Sequence, residues 1–201
     1  MDIQLIDTGF FHADGGAMFG AIPKTAWSRR YPSDKQNGCI LAMRSMLVRN
    51  GNGKIVLVDN GAGNKHLKQL SYYNFFDLVD LKEELRRRDV ASEDVTDVIL
   101  THLHFDHCGY TTQKEEQPGE KSLFKMAFPN AIHWVGRAQW ENFLHPNALE
   151  ADSYFIENMQ AVYDSGKLRL IENDTNLCPG IDLRLFDGHT PGQIAPYITT
   201  P

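Results

Sequence analysis

The 201-residue sequence contains only three cysteines, and they lie far apart along the chain. They are Cys39, Cys108 and Cys178. An odd number of dispersed cysteines argues against a disulfide framework as the basis of the fold. Cys108 follows directly on a histidine-rich stretch, yet its place beyond that stretch favours a small packed side chain over a metal ligand.

The chain also lacks the apolar segments that membranes require. Its first five residues, Met-Asp-Ile-Gln-Leu, have neither the basic start nor the apolar stretch of a signal peptide. No apolar run in the sequence approaches the length of a membrane span. We therefore expect a soluble, cytoplasmic protein with no membrane partner.

Basic charge is in short supply as well. Lys and Arg number 20 against 26 Asp and Glu, which gives a net charge of -6. A negative chain is repelled by phosphate backbones, so we expect no nucleic-acid partner. No Gly/Ser-rich linker divides the sequence, and 42% hydrophobic residues suffice for one core. We therefore predict a single domain over residues 1–201.

What the sequence does contain is a dense group of metal-binding side chains in the motif Thr-His-Leu-His-Phe-Asp-His. The apolar, β-branched run immediately before it is typical of a buried strand, and loops at strand ends carry chemistry. Side chains alternate in extended backbone, so His102 and His104 can point at one ion. Leu103 and Phe105, between them, would then turn into the core.

Asp106 and His107 complete this motif on a tightening turn, where successive side chains diverge and can reach a second ion nearby. Three imidazoles and one carboxylate form the ligand set that zinc prefers, with iron or manganese as alternatives. Four such residues within six positions after a core strand predict a metal centre rather than a histidine-rich surface loop.

A further histidine, His189, lies far downstream in the segment Gly-His-Thr-Pro-Gly. The strand-like run of residues 181–186 precedes it, and the glycines and the proline shape its backbone tightly. Taken alone, such a histidine is more often a turn residue than a ligand. In combination with the first motif, the balance favours a ligand.

With these motifs, the chain resembles the metallo-β-lactamase superfamily of metallohydrolases, and within that superfamily it most resembles the lactonase-like branch. The resemblance rests on the His-x-His-x-Asp-His motif at residues 102–107, on Gly-His-Thr-Pro-Gly at residues 188–192, and on the strand ending in an aspartate at residues 56–61. It covers most of the chain and implies an α+β fold, an αβ/βα sandwich with the metal site at one edge of two facing sheets.

The resemblance also implies how the ligands are shared between two metals, with zinc expected at both and iron or manganese as alternatives. The first metal would be bound by His102, His104 and His189, and the second by Asp106 and His107. Asp59 would act outside this set, accepting a hydrogen bond from a ligand imidazole and so fixing its tautomer. Without the resemblance, Asp59 reads equally well as an aspartate that caps a turn.

The activity implied is hydrolysis of a small-molecule substrate by a hydroxide held between two metals, with Asp106 and His107 also assigned to catalysis. Lactones, esters, thioesters and organophosphates all suit this chemistry, and no residue selects among them. One alternative is a single-iron dioxygenase of the same fold. A second is a catalytically inert metal-binding fragment or scaffold. Ribonucleases share the first motif, but the excess of acidic over basic residues makes a ribonuclease the third alternative.

One departure from the family pattern concerns the end of the chain. The family completes its second metal site with a bridging aspartate and a last histidine, both beyond the Gly-His-Thr-Pro-Gly segment. Residues 193–201 contain no Asp, Glu, His or Cys. We therefore expect the C-terminal part of the domain to be missing from this chain, which would then be the front part of a longer protein.

Local patterns predict several other elements. Two apolar runs, residues 40–48 and 54–58, flank an Asn-Gly turn and predict a β-hairpin. Residues 75–88 and 153–163 have helical spacing of apolar side chains. Residues 14–27 are too rich in glycine and proline for regular structure. In lactonase-like relatives a comparable extension lies near the substrate pocket or a dimer contact, which makes a homodimer one expected assembly.

Overall fold

The computed structural model describes residues 1–115 and 123–200. The strands are β1 (Asp2–Asp14), β2 (Gly38–Arg49), β3 (Ile55–Val58), β4 (Asp97–Ile99), β5 (Thr112–Glu115), β6 (Leu123–Met126), β7 (Ile132–Gly136), β8 (Leu168–Ile171), β9 (Thr175–Cys178), β10 (Ile181–Phe186) and β11 (Gln193–Ile198). The helices are α1 (Gly15–Phe19), α2 (Lys24–Trp27), α3 (Leu81–Arg86), α4 (Phe105–Cys108), α5 (Arg137–Leu144) and α6 (Gln160–Asp164). Short 3-10 turns lie at Ser71–Tyr73, Ser92–Asp94, Gly109–Thr111, Ala151–Ser153 and Ile156–Asn158.

A six-stranded sheet in the order β1-β2-β3-β4-β7-β8 forms the centre of the described structure. Strands β1, β2 and β3 pair antiparallel, whereas β3, β4, β7 and β8 run parallel. A second sheet has the order β11-β10-β9, and β5 and β6 form a separate two-stranded ribbon. Parallel strands end at a common edge, which is where the loop after β4 carries the histidine motif.

Alternation along β3 divides the apolar side chains between two cores. Leu57 points to one face, into a cluster shared with the helices and containing Leu81 of α3. Val56 and Val58 point to the other face, where they pack with residues of the second sheet such as Leu183. A strand that is buried on both faces needs an apolar residue at every position. The sequence of β3, Ile-Val-Leu-Val, meets this requirement. Two facing sheets, with helices on the outer face of the larger one, confirm the predicted α+β sandwich.

The predicted hairpin is confirmed. Strands β2 and β3 pair antiparallel from Met46 opposite Val58 to Arg49 opposite Ile55. The glycines of the Asn-Gly-Asn-Gly turn, Gly51 and Gly53, both adopt positive φ, the conformation that this turn chemistry supplies.

The predicted helix over residues 75–88 is wrong in length. Only Leu81–Arg86 is α-helical, because Asp80 caps its first turn by accepting from the amide of Lys82. Before that cap, Phe76 exchanges two backbone hydrogen bonds with Phe10 of β1. The aromatic residues at the start of the segment therefore extend a sheet edge instead of a helix.

Two other local predictions also need correction. Residues 153–163 form two 3-10 turns and the five-residue helix α6 instead of one helix, and the buried amide of Asn158 faces Cys108 at the break. Residues 14–27 contain α1 and α2, and Asp14 caps α1 by accepting from the amides of Gly16 and Ala17. Across the described residues no helix has the length and apolar character needed to cross a membrane.

Candidate metal centre

The histidine motif and the His189 segment meet because their flanking strands are joined. The amide of Ile194, at the start of β11, donates to the carbonyl of Thr101, just after β4, at 2.8 Å. Within the motif, Leu103 and Phe105 are buried as predicted. Alternation therefore turns His102 and His104 towards the loop that carries His189.

Three imidazoles form the most compact group of metal-binding atoms. His102, His104 and His189 each offer one ligand atom, and these atoms all lie within 4.8 Å of one another. The ring nitrogens His104 Nδ1 and His189 Nε2 are 3.1 Å apart. Two nitrogens bound to one tetrahedral zinc at about 2.0–2.1 Å would be separated by about 3.3 Å. The spacing of these side chains fits a single zinc-sized ion.

The tautomer of His102 follows from its neighbours. The hydroxyl of Thr101 donates to Asp59 Oδ2 at 2.8 Å, so its oxygen is free to accept from His102 Nδ1 at 3.1 Å. This leaves His102 Nε2 with a lone pair, and that buried nitrogen has no hydrogen-bond partner among the described residues. An unpaired buried acceptor is costly unless a ligand uses it.

Burial keeps the imidazoles of His102 and His104 neutral. It lowers the pKa of His102 to about 2, helped by neighbouring His107 and His104. It also lowers the pKa of His104 to about 4. A metal ion binds only the neutral imidazole, so His102 and His104 are ready to bind a cation at neutral pH.

Asp106 and His107, the second half of the motif, form a chain of charged groups with Asp59. His107 Nδ1 lies 2.7 Å from Asp59 Oδ2, and His107 Nε2 lies 3.4 Å from Asp106 Oδ2. Burial lowers the pKa of His107, but the two carboxylates outweigh it and raise that pKa well above its usual range. Burial raises the pKa of Asp106, but the imidazolium of His107 outweighs this and lowers it. Without an ion, the two groups satisfy each other.

The backbone of Asp59 has a strained conformation, and hydrogen bonds to its carboxylate and carbonyl groups hold it there. Its φ is +52°, in the left-handed region that side chains rarely adopt. Its carboxylate accepts from the Thr101 amide at 2.8 Å and contacts His107, and its carbonyl accepts from Ser45 Oγ at 2.7 Å. The structure thus places Asp59 beside a candidate ligand imidazole, the position that the sequence resemblance implies.

The residues after Asp59 support the motif from the side away from the cavity, and no local pattern in the sequence predicted this role. The amide of Asn60 donates to the carbonyl of His107 at 2.8 Å. Lys65 donates through Nζ to the carbonyls of Gly109 and Thr112, which close the turn after the motif. Burial lowers the pKa of Lys65 to about 8. Gly109 packs so closely on Ala62 that a Cβ would lie 2.1 Å from the Ala62 carbonyl oxygen, so only glycine fits there.

Cys108, in the same turn, is a packed side chain and takes no part in the imidazole group. It is fully buried, and its Sγ donates to the carbonyl of Leu103 at 3.2 Å. Burial raises the pKa of the thiol to about 12. A thiol this difficult to ionise is not disposed to bind a metal.

A polar network also missed by sequence reasoning lies on the other side of His104. The ring of Tyr154 packs 4.9 Å from the ring of His104, and the carboxylate of Glu150 is 3.9 Å from His104 Nε2. The Tyr154 hydroxyl joins Glu150 at 2.9 Å to Thr190 at 3.1 Å, and Asn142 donates to it at 2.9 Å. Thr190 follows His189 directly, so this network ties the two halves of the imidazole group together.

The motif opens into a cavity of about 670 Å³. Residues of the first two strands and of the segment between them form most of its wall. The lining residues are Phe10, Phe11, Met18, Tyr31, Ile40, Leu41, Ala42, Arg44, Asp106, His107 and His189. Met18 belongs to the glycine-rich and proline-rich stretch of residues 14–27 and Tyr31 follows that stretch, so the segment between β1 and β2 reaches the site cavity.

Comparisons with known proteins agree with this architecture. Residues 44–110 match the family model described as the metallo-beta-lactamase superfamily. An N-acyl homoserine lactonase from a Bacillus species is 30% identical over 116 residues, which cover 58% of this chain and 38% of that protein. An N-acyl homoserine lactonase from Bacillus thuringiensis is 28% identical over the same length. The match thus spans little more than a third of these curated relatives.

Solved structures extend the similarity to the whole chain. A probable metal-dependent hydrolase from Staphylococcus aureus superposes with a TM-score of 0.87 and 31% identity, over 100% of this chain and 69% of that one. An N-acyl homoserine lactone hydrolase, solved with N-hexanoyl-L-homoserine at its catalytic metal centre, gives a TM-score of 0.70 at 22% identity, over 98% of this chain and 70% of that one. By its sequence motifs, its fold and these similarities, the chain belongs to the metallo-β-lactamase superfamily.

Proposed function

We propose that the protein is a zinc-dependent hydrolase of a small molecule with a lactone, ester or thioester bond. The observation that carries this proposal is the group of three imidazoles whose ligand atoms lie within 4.8 Å of one another, one of which, His189, lines a cavity. Curated relatives at 28–30% identity are named N-acyl homoserine lactonases, so a lactone is the first substrate to test.

The imidazoles of His102, His104 and His189 would hold the first ion. Asp106 and His107 would contribute to a second, since their facing ligand atoms are 3.4 Å apart. Zinc bound there would lower the pKa of a coordinated water and polarise the carbonyl under attack.

Residues of the chain would transfer the proton of the attacking water during hydrolysis. Asp106 lines the cavity, and its carboxylate lies 3.4 Å from His107 Nε2. It is therefore placed to accept a proton from the attacking water and to return it to the departing oxygen. Asp59 and Thr101 would keep the histidines in the required orientation.

The test combines metal content with hydrolysis. The protein is stripped of metal, loaded with zinc, iron or manganese, and assayed on an N-acyl homoserine lactone, a 4-nitrophenyl ester, a thioester and paraoxon. We expect hydrolysis with zinc, and loss of both bound metal and activity in His102→Ala. His145→Ala, at an exposed histidine outside the imidazole group, is the control. A folded, zinc-loaded protein that cleaves none of these substrates would contradict the proposal.

A further inference from the structure

Positive charge is concentrated in one part of the chain. Residues 15–44 contain five of the 20 Lys and Arg but only one of the 26 Asp and Glu. Four of these cations are exposed and form no ion pair within the described residues. They are Lys24, Arg29, Arg30 and Lys35. This positive segment stands out because the remainder of the chain is strongly acidic.

The positive segment forms a wall of the site cavity. Met18, Tyr31 and Arg44 line the same cavity as Asp106 and His189. Tyr31 follows the two exposed arginines of the segment directly in sequence. The segment that carries these cations therefore contributes side chains to the cavity that His189 also lines.

Arg44 is the one cation of the segment that lines the cavity itself. Its Nε donates to Asp7 Oδ1 at 2.8 Å, and both side chains are more than half exposed. Its two terminal nitrogens have no hydrogen-bond partner among residues 1–115 and 123–200. An exposed ion pair of this kind contributes little, so the guanidinium can turn its free edge to a ligand. That edge suits a carboxylate or a phosphate, which it can bind through two hydrogen bonds.

We propose that the substrate carries a negative charge, which Arg44 binds inside the cavity and which the positive segment attracts to it. This inference rests on the proposed hydrolase function and narrows its substrate class to anionic esters or lactones. A chain of net charge -6 would otherwise repel such a molecule. Local positive potential at a cavity mouth overcomes this repulsion and raises the rate of encounter.

The experiment compares two esters that differ only in charge. Mono-4-nitrophenyl glutarate carries a free carboxylate, and its methyl ester is neutral. At low salt we expect the zinc-loaded protein to have a kcat/KM about tenfold higher for the anion. Arg44→Gln should bring the two values together, Arg44→Lys should retain part of the preference, and Asp7→Asn should increase it. High salt should reduce it, because exposed charges are screened.

Arg86→Gln is the matched control, since Arg86 is also an exposed arginine paired with an exposed carboxylate, that of Glu83, but lies on α3 outside the cavity wall. It should leave the preference within twofold of the original. Equal kcat/KM for the two esters, or a preference that survives Arg44→Gln, would overturn the proposal.

A binding measurement separates this inference from the hydrolase proposal. Hexanoate, hexyl phosphate and neutral hexanamide are titrated calorimetrically into the zinc-loaded protein and into Arg44→Gln. If neither ester is cleaved but an anion binds more tightly than hexanamide through Arg44, the charge inference stands and the hydrolase proposal fails for these esters. Anion binding that is unchanged in Arg44→Gln overturns the inference. The tighter of the two anions identifies a carboxylate or a phosphate as the preferred group.

Discussion

The two halves of the histidine motif differ in how they balance charge. His102 and His104 are neutral, because burial lowers the pKa of each. His107 is charged and held between Asp59 and Asp106. A cation entering the first half finds free lone pairs, whereas a cation entering the second must displace a proton from His107. One half is therefore preformed for a metal ion, whereas the charges of the other half balance one another.

The largest loss of zinc affinity is expected when a ligand is removed from the preformed half, that of His102 and His104. His104→Gln should weaken binding of the first zinc by more than about 100-fold. Loss of a residue that only hydrogen-bonds to a metal ligand typically weakens metal binding about 10–100-fold, and loss of a ligand should weaken it more. Competition with a chromogenic chelator measures the affinity. His133→Gln, at a buried histidine outside the imidazole group, is the control and should leave the affinity within a few-fold. Equal affinity in His104→Gln would show that His104 is not a ligand.

The two halves should also give opposite pH dependence to the stability of the metal-free protein. The pKa of His104 is lowered from 6.5 to about 4, so the unfolded state takes up a proton first and stability falls as the pH drops below about 6.5. This amounts to roughly 3 kcal/mol by pH 4, at about 1.4 kcal/mol per pKa unit. The pKa of His107 is raised, so its contribution is complete below about 6.5 and is lost as the pH rises through the folded value.

Urea unfolding between pH 4 and pH 9 measures both effects. His104→Gln should reduce the loss of stability on the acid side, leaving the part that comes from the lowered pKa of His102, and His107→Gln should flatten the alkaline side. Identical changes in the two variants would remove the distinction between the halves.

A smaller effect is expected at Asp59, which belongs to the charged half. Asp59→Asn removes a carboxylate from His107 and should weaken the second zinc about tenfold, at the lower end of the effect of outer-shell partners. The first zinc should be affected less, because the contact of Asp59 with that half passes through Thr101. Stepwise zinc titration by calorimetry separates the two affinities. Equal weakening of both would indicate a general loss of structure instead.

The smallest effect should come from Lys65, behind the charged half. Lys65→Met leaves the carbonyls of Gly109 and Thr112 without their donor, which should weaken the second zinc about three- to fivefold as the turn loosens. Lys65→Arg should restore part of the loss. Lys68→Met, at an exposed lysine three residues on, is the matched control. No difference between Lys65→Met and the control would exclude a role for Lys65 in positioning the turn.

Much of the site could be predicted from sequence because it lies in short, local patterns. The motif follows a buried strand, and alternation along extended backbone decided that Leu103 and Phe105 would be buried while His102 and His104 face the site. The hairpin was predictable because an Asn-Gly turn between apolar runs has few other structures.

The failures came where a tertiary contact competed with a local pattern. Apolar spacing alone predicted a helix from residue 75, but the backbone of Phe76 pairs with that of Phe10, 66 positions earlier in the chain. The same sequence did contain a better signal for the true start, since Asp80 is a strong N-cap residue with Glu83 three positions later. Capping chemistry would have corrected the helix, whereas the strand pairing was beyond any local rule.

The identity and spacing of His102, His104, Asp106 and His107 in the sequence set which atoms are available to a metal. Their charge states depend on the tertiary structure. Asp59 reaches His107 across 48 residues, and Glu150 approaches His104 across 46. A side chain's pKa depends on burial and on charges a few ångströms away, and these are set by packing and not by order along the chain.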